Sequence, residues 1–340
     1  CLLRAMALAG QVLASAAGPR PVLLVTDVGR DVDDTLALCA VNGLRRAGEL
    51  DLVGVIASGG AGETRARVVR GWLRRFGLGD AAVPVAASMA EGRPQCAVPE
   101  GTPALEEAAL YQGPAEELLL ELADRHAGAL EVFAIAPLSP IAAALEGGAG
   151  LERLRKGLKA LYVQGQCRVE AGRLAPDFAA FNLQEDTEAS EAVFAKLQDA
   201  VPFRFLGKHA AYQVSLLRSD FASWDSMLGS GEMTQGAKLN MDIFRRGNPE
   251  KFYQLYPIPE QYRNDEEWFD HMEELSHPYD PLLLLSAFRP CLFRQLPCDV
   301  SGASREHLTI GNSEDTPGVL DAAAARAALT ELIGEGVRSM

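Results

Sequence analysis

Between residues 21 and 165 the chain repeats one pattern: a short run of mostly aliphatic residues, then a longer segment with helical periodicity. The apolar runs are PVLLVT (21–26), DLVGVIAS (51–58), AAVPVAAS (81–88), ALEVFAIA (129–136) and KALYVQG (159–165). Strands that are apolar on both faces must be covered on both, which a parallel sheet achieves by carrying helices above and below. The intervening segments fit that role. Leu36, Ala40, Val41 and Leu44 share one face of a helix starting near Asp33, and ETRARVVRGWLRRFG is a helix that Gly77 ends. Further helices are expected in AEELLLELADRHAG, in PLSPIAAALEGG and in the final DAAAARAALTELIGEG. The expected fold is α/β, a mostly parallel central sheet flanked by helices in a Rossmann-like arrangement. Residues 21–340 read as one such domain, with the polar and aromatic stretch 218–275 as a helical capping region. Residues 1–20 read as an N-terminal extension, either the tail of a targeting segment or an ordinary first helix.

The charge balance narrows the partners. The net charge is -14, and no Lys/Arg-rich tract offers to neutralise a phosphate backbone, so no nucleic-acid partner is expected. Arg45-Arg46, Arg74-Arg75 and Arg245-Arg246 read as solvated helix faces. Six scattered cysteines without a C-x-x-C pair argue against a disulfide framework or a zinc site. Reduced thiols in a cytoplasmic setting are the expectation. No apolar run reaches the roughly 18–20 residues that span a bilayer, and no membrane partner is expected.

The first strand runs into VLLVTDVGRDVDDTLAL, where Asp27, Asp31, Asp33 and Asp34 fall within eight residues. In open α/β sheets functional groups collect at the carboxyl ends of strands, and Gly29 permits a tight backbone path there. Helix capping explains part of the cluster. One acid at the N-cap and one in the first turn gain roughly 0.3–1 kcal/mol from the helix dipole. Two acids are then left over. Several carboxylates at a buried strand end call for a cation, since an uncompensated buried charge costs several kcal/mol. An all-oxygen set favours Ca²⁺ or Mg²⁺ over zinc or copper, and the EF-hand spacing is absent.

TDVGRDVDDTLAL resembles the amino-terminal signature D-x-D-x-G-x-D-D-x-x-A-L of the inosine-uridine-preferring nucleoside hydrolases. Val25 takes the place of its first Asp, and two extra residues precede the paired acids. Making Asp33-Asp34 the pair keeps Ala37 and Leu38 in register and leaves Asp31 without a role. FAIAPLSPIAAA resembles the family's G-P-L-T-N-I-A turn, with Ala136, Ser139 and Pro140 substituted, and LYVQGQ stands where the family has V-x-M-G-G. AAFNLQEDTEAS keeps Phe181, Asn182 and Asp186 of A-E-F-N-x-x-x-D-P-E-A. HPYDPLLLL keeps Asp280 and Pro281 of H-D-P-x-A, with Tyr279 for His. The resemblance runs from about residue 21 to 290.

It implies the nucleoside hydrolase fold and a Ca²⁺-dependent hydrolase cleaving the N-glycosidic bond of ribonucleosides or related ribosides. On that resemblance Asp27, Asp34 and Asp280 would be metal ligands through carboxylates and Ile135 through its main-chain carbonyl. Asp33 and Asn182 would hold the ribose hydroxyls. A metal-activated water would attack C1′ with Asp27 as general base, and the carboxylates would stabilise the oxocarbenium-like charge. The family's leaving-group histidine is Tyr279 here, and a phenol with a pKa of about 10 is a poor acid at neutral pH. His277 is the alternative acid, set against its being a plain loop histidine before Pro278. The family's Glu at the sugar's 5′ end falls on Ala180, and the Asn before it near Leu174, so a 5′ side more apolar than usual, open to other ribosides, is expected. Trp224, Phe244, Tyr253, Tyr256 and Trp268 read first as helix core and second as stacking for a base. Family members often associate, which leaves a homo-oligomer open. Two readings compete. One is a non-catalytic, metal-dependent riboside-binding protein, for which Tyr279 and Ala180 speak. The other is a haloacid-dehalogenase-type phosphotransferase, against which Val25 speaks because its nucleophilic Asp would stand there.

Overall fold

The apolar run at 21–26 is buried as expected: Val22 to Val25 have no solvent exposure, and they form the middle of a central strand. The computed structural model describes residues 18–29, 31–89, 109–262, 264–302, 304–338 and 340. Most of the expected N-terminal extension and the Pro/Gly-rich loop at 91–103 lie outside these. The strands are β1 (Arg20–Thr26), β2 (Leu50–Ala57), β3 (Val85–Ala87), β4 (Leu130–Ala134), β5 (Leu158–Gln164) and β6 (Gln166–Glu170). After them come β7 (Arg173–Asp177), β8 (Phe203–Leu206), β9 (Leu216–Leu217), β10 (Glu274–Ser276), β11 (Leu296–Pro297) and β12 (Leu308–Ile310). Eight of them form one sheet in the order β11-β12-β8-β5-β4-β1-β2-β3. Every neighbouring pair is parallel except β11 with β12, so the antiparallel strand sits at an edge.

Helices cover both faces of the sheet, and each has one apolar side in a core cluster. The helix Asp33–Arg46 is wedged between the sheet and the last helix, Ala322–Val337. That contact depends on two glycines. A Cβ on Gly43 would stand 2.3 Å from the Leu332 carbonyl oxygen, and one on Gly336 1.9 Å from that of Cys39. Asn42 Nδ2 also donates to the Gly336 carbonyl at 2.7 Å. The carboxyl-terminal helix therefore fixes the helix that carries Asp33 and Asp34.

Residues 218–275 are largely helical, as read, with helices at Arg218–Leu228, Glu232–Gly247, Pro249–Leu255 and Asp265–His271. Their aromatic residues divide. Trp224 joins the main core and Trp268 packs around the fully buried Phe252, while Phe244 and Tyr256 line a cavity. The thiols of Cys39, Cys167, Cys291 and Cys298 are free, with Cys167 and Cys298 Sγ atoms 3.8 Å apart. No helix among the described residues is long and apolar enough to cross a membrane.

Candidate functional site

The strand order reverses at β1: β2 and β3 continue to one side, and β4, β5 and β8 to the other. In a parallel sheet such a switch point opens a crevice at the carboxyl ends. A cavity of about 390 Å³ lies here, and it gathers residues from the ends of β1, β4, β5 and β8. Asp27, Asp33, Asp34, Asp280, Asn182 and Ile135, all singled out in the sequence, line it together. Tyr279 and His277 line it too.

The aspartate loop is held from below. Arg65, 2% exposed, donates from Nε to the Gly60 carbonyl at 2.8 Å and from its Nη atoms to the carbonyls of Asp27, Val28 (2.9 Å) and Gly59 (3.4 Å). Gly59 has φ +80°, and a Cβ there would come within 2.9 Å of Asp27 Cβ. Only glycine fits without moving Asp27.

The expected capping arrangement is corrected. Val32 is the N-cap and makes no side-chain cap; Asp33 and Asp34 both sit in the first turn. Asp31, which the sequence left without a role, accepts the Asp33 amide at 3.0 Å through Oδ1 and so takes over the capping work. Asp34 Oδ1 accepts from the Thr26 hydroxyl and from the Asp27 amide (3.1 Å). Asp33 Oδ2 accepts the Asp280 amide at 3.0 Å, which brings the start of the helix Tyr279–Phe288 against the start of Asp33–Arg46. Two helix amino ends thus converge on the acids, and their dipoles offset part of the negative charge.

That offset is partial. Burial is the largest cause that pushes the Asp33, Asp34 and Asp280 carboxyls well above the usual range, and neighbouring acids add to it. Asp33 Oδ1 is buried with no hydrogen bond. A buried acceptor left open in a pocket of carboxylates suits a hard divalent cation. Among the described residues no three His, Cys, Asp or Glu side chains already close on one centre, and Asp34 Oδ1 and Asp33 Oδ2 are engaged in the hydrogen bonds above. The donor set fits Ca²⁺ in chemistry: Asp27, Asp34 and Asp280 carboxylates beside Ile135, with Asp33 and Asn182 next to them.

Asn182, beyond the end of β5, donates from Nδ2 to Gln164 Oε1 at 2.9 Å, so the last residue of that strand orients it. Asp186, the other motif residue here, is structural. It caps Thr187–Leu197 through the Ala189 amide and accepts from Ser139 Oγ at 2.5 Å, tying two helices together.

At the other side stand three tyrosines and a histidine. Tyr212 meets the rings of His277 and Tyr279 edge-on at 5.2 and 6.0 Å, and Tyr256 Oη lies 2.6 Å from His277 Nε2. His277 is thus half-buried in the cavity wall and not a free loop histidine. Burial lowers its pKa, so the ring is neutral at pH 7, and burial raises that of Tyr279, which keeps its proton.

Leu174 is packed in the core and does not line the cavity, whereas Ala180 does, with both apolar and polar residues around it. Gln164, Gln166, Lys208 and Lys251 all line the cavity; the two glutamines lie in LYVQGQ with no role read for them, and the two lysines stood in no motif. The available signal was position: Gln164 ends β5, and Lys208 follows directly on the end of β8 through Gly207.

The family description "Inosine-uridine preferring nucleoside hydrolase" matches residues 22–329, which extends beyond the motifs to most of the chain. No curated protein matches. Among solved structures, the effector protein XOO4466 has 22% identity and a TM-score of 0.75, with 99% of each chain covered. The type III effector XopQ, complexed with adenosine diphosphate ribose, gives the same figures. The inosine-uridine preferring nucleoside hydrolase from Bacillus anthracis has 17% identity and a TM-score of 0.60, covering 94% of this chain and 100% of that one. These three are likenesses of fold. The family match over residues 22–329 carries the further conclusion: the chain belongs to the inosine-uridine preferring nucleoside hydrolase family.

Proposed function

We propose that this cavity binds Ca²⁺ and a riboside, and that it hydrolyses the riboside's N-glycosidic bond. The observation that carries the reading is the set of four buried aspartates and Asn182 in one cavity at the strand switch point, with Asp33 Oδ1 left open to a further partner. A Ca²⁺ ion held by Asp27, Asp34, Asp280 and Ile135 would supply charge that fixes a vicinal diol and acidifies water beside it. The chain's own groups do the rest. Asp33 and Asn182 orient the ribose hydroxyls, which sets C1′ against the nucleophile. Asp27 takes the proton of the attacking water, and the surrounding carboxylates stabilise positive charge growing on the sugar. Tyr279, protonated across the neutral range, gives a hydrogen bond to the departing base, and the Tyr256–His277 contact walls the same side.

The deciding experiment strips the protein with chelator, refills it with Ca²⁺ and offers a broad panel of ribosides, scoring released base and reducing sugar. Release that needs Ca²⁺ is expected. A second reading, a riboside-binding protein without turnover, draws on the likeness to XopQ, whose structure holds adenosine diphosphate ribose. Binding of ribose analogues with no release across the panel would make that reading the right one.

The two leaving-group candidates separate by pH. The His277 pKa lies below its ordinary 6.5, so its acid form is lost as pH rises through a value under 6.5; Tyr279, raised above 10.0, does not titrate there. With Tyr279 as donor, the rate stays flat from roughly pH 6.5 to 8, and Tyr279→Phe lowers it about 10²-fold. A steep fall with rising pH below 6.5, abolished in His277→Ala, would assign the proton to His277 instead.

A further inference from the structure

The floor of the cavity is acidic, but one wall is not. Lys208 and Lys251 are the basic residues among the described lining residues. Lys208 is half-buried and Lys251 exposed, and neither ammonium has an ion pair or hydrogen bond among the described residues. Lys159 and Lys238, by contrast, pair with Glu131 and Asp270. His209, next to Lys208 in the chain, feels the charges of Lys208, Glu314 and Lys251, so one acid shares the neighbourhood of the two lysines.

Glycine contacts locate Lys208. A Cβ on Gly165 would lie 3.4 Å from Ala180 Cβ, and one on Gly207 would lie 2.7 Å from Gln166 Cγ. Ala180, Gly165, Gln166, Gly207 and Lys208 therefore form one continuous wall leading away from Asn182. Lys251 reaches the cavity from the helix Pro249–Leu255, whose Leu255 also lines it. Two lysines without an ion pair among the described residues, in a chain of net charge -14 and in the same cavity as the carboxylate floor, offer positive charge to an anion. Ala180 brings no charge to the wall between them.

We propose that Lys208 and Lys251 bind a phosphoryl group on the ribose 5′ carbon, so that the cavity prefers 5′-phosphorylated ribosides to free nucleosides. This rests on the riboside reading above. The competing occupant of this wall is a free 5′-hydroxyl, which would donate to Gln166 Oε1, buried and without a partner while its Nε2 donates to the Asn312 carbonyl at 2.9 Å.

Calorimetric titration of the Ca²⁺-refilled protein with matched pairs tests it: adenosine against adenosine 5′-phosphate and 5′-diphosphate, uridine against uridine 5′-phosphate, with inorganic phosphate alone as control. The phosphorylated partner is expected to bind about tenfold or more tightly. That margin should shrink with added salt and fall below about twofold in the Lys208→Gln/Lys251→Gln double variant. The mono- and diphosphate arms show how many phosphoryl groups the wall accepts. Free nucleosides that bind as tightly as their phosphates, with a loss in Gln166→Leu, would overturn the phosphate subsite and leave the riboside reading standing. If no member of any pair binds, both fall together.

Discussion

Asp34→Ala is expected to lose Ca²⁺ affinity by more than the roughly 10–100-fold that follows loss of an outer-shell partner, and to lose base release with it. Asp34 is 2% exposed, and its Oδ1 is the shared acceptor for the Thr26 hydroxyl and the Asp27 amide. Removing it takes away a proposed ligand and also frees the backbone from which Asp27 projects. Asp31→Ala is the control. Asp31 is only partly buried and its Oδ1 serves the Asp33 amide, so its loss should cost about 0.5–2 kcal/mol of stability as a missing cap while Ca²⁺ still binds. Titration of Ca²⁺ into the two chelated variants checks both. Wild-type affinity in Asp34→Ala, with affinity lost in Asp31→Ala, would mean that Asp31 belongs to the metal-binding pair and that the register of the signature is shifted.

Arg65→Met should have the largest effect on stability. The guanidinium is buried and serves the carbonyls of Asp27, Val28, Gly59 and Gly60. Methionine fills much of the volume but leaves those buried acceptors bare, at about 1–3 kcal/mol each where water cannot reach. It also removes a positive charge from beneath the acids. Four such acceptors at the low end of that range give a loss of about 4 kcal/mol, a large part of the roughly 5–15 kcal/mol that holds a domain together. Urea unfolding reads it as a lower midpoint at unchanged slope. Arg65→Lys keeps the charge but not the fork of donors, and should recover only part of the loss. A midpoint unchanged in Arg65→Met would mean that the loop is held by other contacts.

The two variants probe parts of the loop that were unequally legible. Asp27, Asp33 and Asp34 stood out because a charge cluster after a buried strand is costly without a purpose, and Asp280 and Asn182 came from ordered short motifs. Val25 marked a departure from the signature, and it is fully buried in the core cluster with Leu23, Ile56 and Ala134, where a carboxylate would have no partner. Arg65 gave no such signal. In sequence it is one of several arginines along an amphipathic helix, and its partners are backbone carbonyls that no residue type announces.

The fold divides in the same way. The five longer apolar runs were readable because burial on both faces leaves no polar alternation. β8, β11 and β12, of four, two and three residues, were not seen; β3 is as short, but it lies in the apolar run 81–88, and these three have no such run around them. Lys208 went unread with them, since its meaning comes from standing at the end of β8 beside β5.

The sequence by itself determined the α/β class, five of the eight strands of the main sheet, many of the helices and the family-specific acids, because periodicity and short motifs are properties of neighbouring residues. Only the tertiary structure decided which groups share the cavity. It turned Asp31 into a cap and Asp186 into a tie between helices, placed His277 against Tyr256, and brought Gln166, Lys208 and Lys251 into the cavity lining. These are contacts between distant segments. They follow from the order of strands in the sheet and from the close approaches that Gly43, Gly59 and Gly336 permit, and neither is written in local spacing.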